Sequence, residues 1–251
     1  LRSHDGKRLV KFFLPDSRDS VDTTFDFTKE TRSPDRIPRD ELYIHEMLDR
    51  SVDGLLVSYA GLRDGRYSAA ARRRFMREGA RGFFRAAPWM SFMGDPGAFS
   101  YIKESEPPVT VSEVAEFYGS VGIDLGMAVD HIVSGYSDEL FEDPDPEQQR
   151  RYDLTLALAS DFLAAAKPHA FEPVGVVQGW SPASYARAAA ELQRMGYGYL
   201  ALGGLVRLNG SWKPGKEHPR RGLGSVHHDP ALQSGRSWRA CGRGGPQEYH
   251  A

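Results

Sequence analysis

Cysteine is nearly absent: the 251-residue chain has one, Cys241. A single thiol excludes an intrachain disulfide framework and any zinc site built from several cysteines. No apolar run approaches the roughly 18 residues of a membrane-spanning helix. The amino end, LRSHDGKRLV, lacks the apolar stretch of a secretory signal. It also lacks an initiating methionine, which points to a trimmed, alternatively started or partial chain; a cytoplasmic setting is the expectation. Net charge is small as well. At −2, the formal balance gives no whole-molecule field that would draw the chain to nucleic acid. The plainest local exception, Arg72-Arg73-Arg74, reads either as a solvated helix face or as a phosphate contact. Neither GxGxxG nor GxxxxGKS/T follows any apolar run, which removes the usual nucleotide-binding loops of open α/β sheets.

What is there has the balance of a large globular domain, with 40% hydrophobic and 26% charged residues. Short apolar runs recur at 9–15, 53–60, 88–94, 123–132, 174–179 and 197–204. Helical spacing fills the intervals. Segment 40–51 places Leu42, His45 and Leu48-Asp49 around one face, and 68–79 stops on glycine. Segment 108–122 opens with Thr110 and Glu113 as a capping box. The longest helix spans 145–168. Segment 181–196 has Ser181 as N-cap, Pro182 at the first helical position and Gly196 at its end. Strand alternating with helix predicts parallel β-α units.

An open doubly wound sheet and a (β/α)8 TIM-type barrel both fit that rhythm. Polar residues decide for the barrel, because Asp95, Asp130 and Gln178, then Gly203-Gly204, stand at the carboxyl ends of different strands. In a barrel those ends converge on one face. A closed barrel needs eight strands, and six are found before residue 205. The expectation is therefore an incomplete barrel of about six β-α units over 1–209. The segment 210–251, rich in Gly, Arg, His and Pro, is expected to be irregular, either disordered or frame-shifted.

Each strand-end residue has a chemical and a plain structural reading. Asp95 sits in MGDPGAFS, where it either exchanges a proton or initiates a turn before proline. Asp130, in GMAVDHI, is a site carboxylate, a helix cap or an arginine partner, with the adjacent His131 more often structural than a ligand. The Gln178 amide offers donor and acceptor together and suits a base edge, or it bonds neighbouring backbone. Gly203-Gly204 lets backbone N–H groups approach a flat ligand, or supplies a turn at positive φ.

Taken together and in order, Asp95-Pro96-Gly97-Ala98-Phe99, Asp130, Val177-Gln178-Gly179 and Gly203-Gly204-Leu205 resemble the tRNA-guanine transglycosylase superfamily (queuine and archaeosine tRNA-ribosyltransferases). The resemblance covers about 85–207. It implies a pentosyltransferase of the queuosine type that exchanges guanine for a 7-deazaguanine in DNA or tRNA. Asp95 would be the catalytic general base and Phe99 would stack on the heterocycle. Asp130, Gln178, Gly203 and Gly204 would read the purine edge. Pro96-Gly97-Ala98 departs from the usual Ser-Gly-Gly, and Ser100 replaces a common glutamine. The amino-terminal text KFFLPDSRDSVDTTFDF resembles the divergent branch that inserts 7-deazaguanines into DNA. The superfamily's nucleophilic aspartate and its structural zinc site, three cysteines and a histidine, have no counterpart here. Asp229 lies in HHDPAL without an apolar strand and is not assigned. The chain is thus expected to hold no cofactor and to be inactive alone.

Two other readings stay open. A metal-dependent barrel lyase or hydrolase would use Asp95 and Asp130 as Mg²⁺ or Mn²⁺ ligands with His131 nearby. A noncatalytic nucleic-acid-binding module would set Arg72-Arg73-Arg74 on phosphates. The sequence leaves the oligomeric state open.

Overall fold

Parallel pairing organises the molecule. The computed structural model describes residues 11–204 apart from 16–19, 36–40 and 49; the expected irregular segment 210–251 lies outside them. Six strands form the main sheet: β1 (Phe13–Pro15), β4 (Gly54–Ser58), β5 (Ser91–Asp95), β6 (Leu125–Met127), β7 (Glu172–Val177) and β8 (Tyr199–Leu202). They lie in that order, each parallel to the next. Because spatial order follows chain order without a reversal, right-handed crossovers place every helix on the same face. A doubly wound sheet would reverse at its switch point. The architecture is that of a half-barrel wall flanked by helices, as the strand-end pattern predicts. A second pair, β2 (Ser20–Val21) with β3 (Leu42–Tyr43), is antiparallel and is not foreshadowed by the alternation.

The helices α1 (Ile44–Met47), α2 (Tyr59–Arg63), α3 (Ala69–Phe83), α4 (Val111–Val121), α5 (Pro146–Ala166) and α6 (Pro182–Met195) fill the connections. Their ends follow local chemistry. Thr110 Oγ1 accepts the Glu113 N–H at 3.2 Å, and the Glu113 carboxylate accepts the Thr110 N–H at 2.8 Å. Ser181 caps α6, Pro182 opens it, and Gly196 closes it at φ +109°. Two expectations differ. The helix predicted over 40–51 shrinks to the four residues of α1, since Leu42 and Tyr43 are taken up by pairing with β2. The helix predicted to stop at Gly79 only kinks there, at φ +67°, and resumes to Phe83 because Ala80 and Phe83 have core surface to bury.

Among the described residues the larger hydrophobic cluster joins the sheet to its helices. Phe75, Phe83 and Phe84 meet edge to face at 5.1 Å between neighbours, packed by α3 and its C-terminal turn toward Phe92 of β5. From α4, Tyr118 packs on Phe162 and Phe171. Its ring also lies over the register partners Gly94 and Gly126. A Cβ on Gly94 would fall 2.4 Å from that ring, and one on Gly126 2.7 Å from it. These two glycines therefore mark the helix-facing side of β5 and β6. Side chains alternate along a strand, so Asp95 is aimed at the opposite, inner face. Likewise Gly175 backs onto Leu192 and Tyr197 on the helix side, which turns Val176 and Gln178 inward.

Candidate active site

The site begins where β5 stops. Asp95 is the register partner of Ser58, the last residue of β4. The chain then turns through Gly97, at φ +89°, where a Cβ would stand 2.5 Å from the Ala60 Cβ. Both the backbone angle and the crowding require glycine. A 3₁₀ turn, Ala98–Tyr101, follows, and the Ser100 N–H and hydroxyl donate to the Gly97 carbonyl at 2.9 and 2.8 Å. This turn leaves Phe99 half exposed, an aromatic face open to solvent. Asp95 retains some access to solvent. Dense protein around its carboxyl nonetheless raises its pKa to about 6, against opposing pulls from the Gly97 N–H and the Arg66 charge.

Beyond Met127 the β6–β7 pairing continues for one more bond, Ala128 N–H to the Val174 carbonyl at 2.9 Å. The extended chain then buries Asp130, which is only 4% exposed. Gln178 Nε2 donates to Asp130 Oδ2 at 2.7 Å, and the Val133 N–H reaches Gln178 Oε1 at 3.4 Å. The amide is thereby oriented, nitrogen toward the carboxylate. Burial raises the Asp130 pKa to about 7; the Gln178 bond opposes this and the charge of Asp95 adds to it. Two carboxyls that feel each other titrate as a pair, and near neutral pH one of them readily holds a proton.

The glycine pair after β8 forms a slot for that amide. Gly203 N–H donates to the Val177 carbonyl at 2.9 Å, extending the β7–β8 pairing. A Cβ on Gly203 would stand 2.4 Å from Gln178 Nε2, and one on Gly204, at φ +68°, 2.6 Å from Oε1. Tyr185 Oη donates to the Gly203 carbonyl at 2.6 Å. Both backbone groups of Gly203 are thus committed within the protein, which leaves the Gly204 backbone as the part of the pair suited to meet a ligand. Asp95, Asp130, Gln178 and the glycine pair come together at one rim, while Phe99 stands on the turn beside Asp95.

His131 belongs to the scaffold, and two residues of the arginine run are partly drawn into it. His131 Nε2 lies 2.8 Å from the Glu104 carbonyl, which can only accept, so Nε2 carries the proton. Nδ1 then accepts from Arg151 Nη1 at 3.1 Å. Burial lowers the His131 pKa and keeps the ring neutral. With both nitrogens engaged, it is not free to join Asp95 and Asp130 around a cation. Among the described residues no group of three or more His, Cys, Asp or Glu is placed to hold a metal. Arg74 pairs with Glu78 at 2.8 Å and lies 4.7 Å over the Phe83 ring, and Arg72 donates to the Arg63 carbonyl at 3.3 Å. Two of the three arginines are therefore partly spent inside the fold.

Sequence reasoning missed Tyr101, Tyr118 and Tyr185 beside this rim. Tyr118 stands on α4 with its ring across Gly94 and Gly126, and helical period alone gives no sign of that contact.

A parallel half-barrel whose strand ends gather two carboxyls, one oriented amide and a glycine pair belongs to the β/α-barrel class. No protein-family model matches the chain. It is 41% identical over 208 residues to a protein of Salmonella montevideo named DNA-guanine transglycosylase, an overlap of 79% of this chain and 50% of that relative. This similarity supports the resemblance of the sequence motifs to the tRNA-guanine transglycosylase superfamily. It spans about half the length of the curated relative it matches.

Proposed function

We propose that this chain is the base-recognising half-barrel of a transglycosylase that replaces guanine by a 7-deazaguanine in DNA. The observation that carries the proposal is the Gln178–Asp130 hydrogen bond at a strand-end rim that also holds Asp95. Guanine offers an oxo acceptor and exocyclic N–H donors. An ionised Asp130 accepts from the donor side, the second N–H of Gln178 points to the oxo group, and Gly204 backbone completes the edge. Asp95 is the general base toward the incoming deazaguanine, with a pKa near 6 that suits proton transfer at neutral pH. The exposed Phe99 ring closes on the face of the base, where stacking is worth about 1–3 kcal/mol. A site that pairs with every heteroatom rejects analogues that lack them. DNA rather than tRNA is favoured by the name of the Salmonella relative.

Calorimetry with guanine and 7-cyano-7-deazaguanine tests the reading. Binding should strengthen as pH rises through about 7, where Asp130 gives up its proton and becomes an acceptor. Asp130→Asn should weaken it at least tenfold, the equivalent of about 1.4 kcal/mol. Binding that is indifferent to both pH and Asp130→Asn overturns the assignment. Labelled 7-deazaguanine entering tRNA but not duplex DNA, with the full-length enzyme, would move the substrate to tRNA.

A further inference from the structure

Two phenols under the rim have no use in the chemistry above. Tyr101, at the end of the 3₁₀ turn, is 1% exposed, and Tyr118 of α4 is fully buried. Neither hydroxyl has a hydrogen-bond partner among the described residues. A buried hydroxyl left unpaired is costly, and native proteins nearly always satisfy it with protein or ordered water. Both are held in place by what surrounds them. The Tyr101 ring meets His131 edge to face at 6.1 Å and packs with Ala98 and Ile132, the residues flanking Phe99 and His131. The Tyr118 ring is pinned across Gly94 and Gly126, one residue before Asp95 and at the root of the segment that carries Asp130. Burial, then the charges of Asp130 and Asp95, keep Tyr101 protonated, and Tyr118 feels Asp95, Tyr101 and Asp130 in turn. Four oxygen-bearing side chains thus sense one another in a region with little solvent.

We propose that Tyr101 and Tyr118 are positioning residues whose hydroxyls, bridged by buried water, donate toward the Asp95–Asp130 pair and fix which carboxyl carries the shared proton. The inference rests on the reading of Asp95 and Asp130 as the base site. A phenol beside an ionised carboxyl serves as a donor, and water fits a polar site that offers several partners. Other groups bear on the site: the Arg66 charge acts on Asp95, the Arg63 charge on Tyr101, and the neutral Gln178 amide donates to Asp130. His131 is next to Asp130 but neutral and bound to Glu104 and Arg151. Asp130 also takes its own backbone N–H, and the phenols flank the pair from two sides: Tyr101 on the turn after Asp95, against His131, and Tyr118 across Gly94 and Gly126.

The test uses Tyr101→Phe and Tyr118→Phe, which keep both rings and remove only the oxygens. Carboxyl titrations of the unliganded protein, followed by carbon NMR of labelled aspartate, are compared with the parent. Loss of a donor to the ionised form should raise the upper midpoint by at least about half a pH unit in one or both variants. Tyr197→Phe is the control: its hydroxyl donates to the Ala159 carbonyl at 2.7 Å, so it should lower Tm and leave the titration unmoved. Midpoints unchanged in both tyrosine variants overturn the proposal, whether Tm falls, stays or rises. Guanine binding is measured separately by calorimetry. A shifted titration in a protein that binds no guanine would keep the proton-positioning role and remove the base-site reading, whereas intact Asp130-dependent binding with unshifted midpoints would do the reverse.

Discussion

At the scale of single residues, the site is assembled from groups whose ordinary behaviour is changed by where they lie. Asp130 is the clearest case. Its carboxyl titrates near 3.8 when free and near 7 in the fold, chiefly through burial. Across that window the native state holds more protons than the unfolded chain, so stability falls as pH rises from about 4 to about 7. Asp130→Asn should flatten that decline and raise Tm at pH 8 while weakening guanine binding, a trade seen by running thermal melts and calorimetry on the same variant. Gly203→Ala tests the amide slot. The added Cβ lies 2.4 Å from Gln178 Nε2 and must push it off Asp130. Loss of one hydrogen bond to a charged group, about 1.5–3 kcal/mol, predicts roughly tenfold or greater loss of guanine affinity. Asp95, Asp130 and Gln178 were legible as strand-end polar residues in the sequence. Whether Gln178 would read a base or bond its neighbours was not, and the structure shows that its amide is oriented by Asp130.

At the scale of elements, legibility follows whether the signal is local. The capping box at Thr110 and the Ser181-Pro182 start with its Gly196 stop act within a few residues; α4 begins, and α6 begins and ends, where those residues say. Thr110→Ala should cost about 1 kcal/mol, seen as a lower urea midpoint with an unchanged slope. The elements that were misread depend on distant partners. Tyr43 joins β3 because β2 is there to pair with it, and α3 outruns its glycine because the core rewards Phe83. Gly97→Ala probes a turn that serves the site directly. Left-handed φ and the Ala60 contact both oppose a side chain, so the variant should shift Phe99 and weaken base binding more than it lowers Tm.

At the scale of the whole molecule, one continuous core ties the sheet to its helices, so removing a central ring should be felt everywhere. Phe75→Ala should cost about 3–5 kcal/mol and lower far- and near-ultraviolet melting transitions together. The sequence by itself determined the alternation of strand and helix, hence parallel pairing, and put polar residues at successive strand ends. It could do so because periodicity, caps and glycine stops are written in neighbouring residues. Only the tertiary structure decided that β2 and β3 pair apart from the main sheet, that Gly94 and Gly126 admit a tyrosine ring across two strands, and that Gln178 lies against Asp130. Those outcomes depend on register and on contacts between residues tens of positions apart, where shared burial, not local preference, sets the energy.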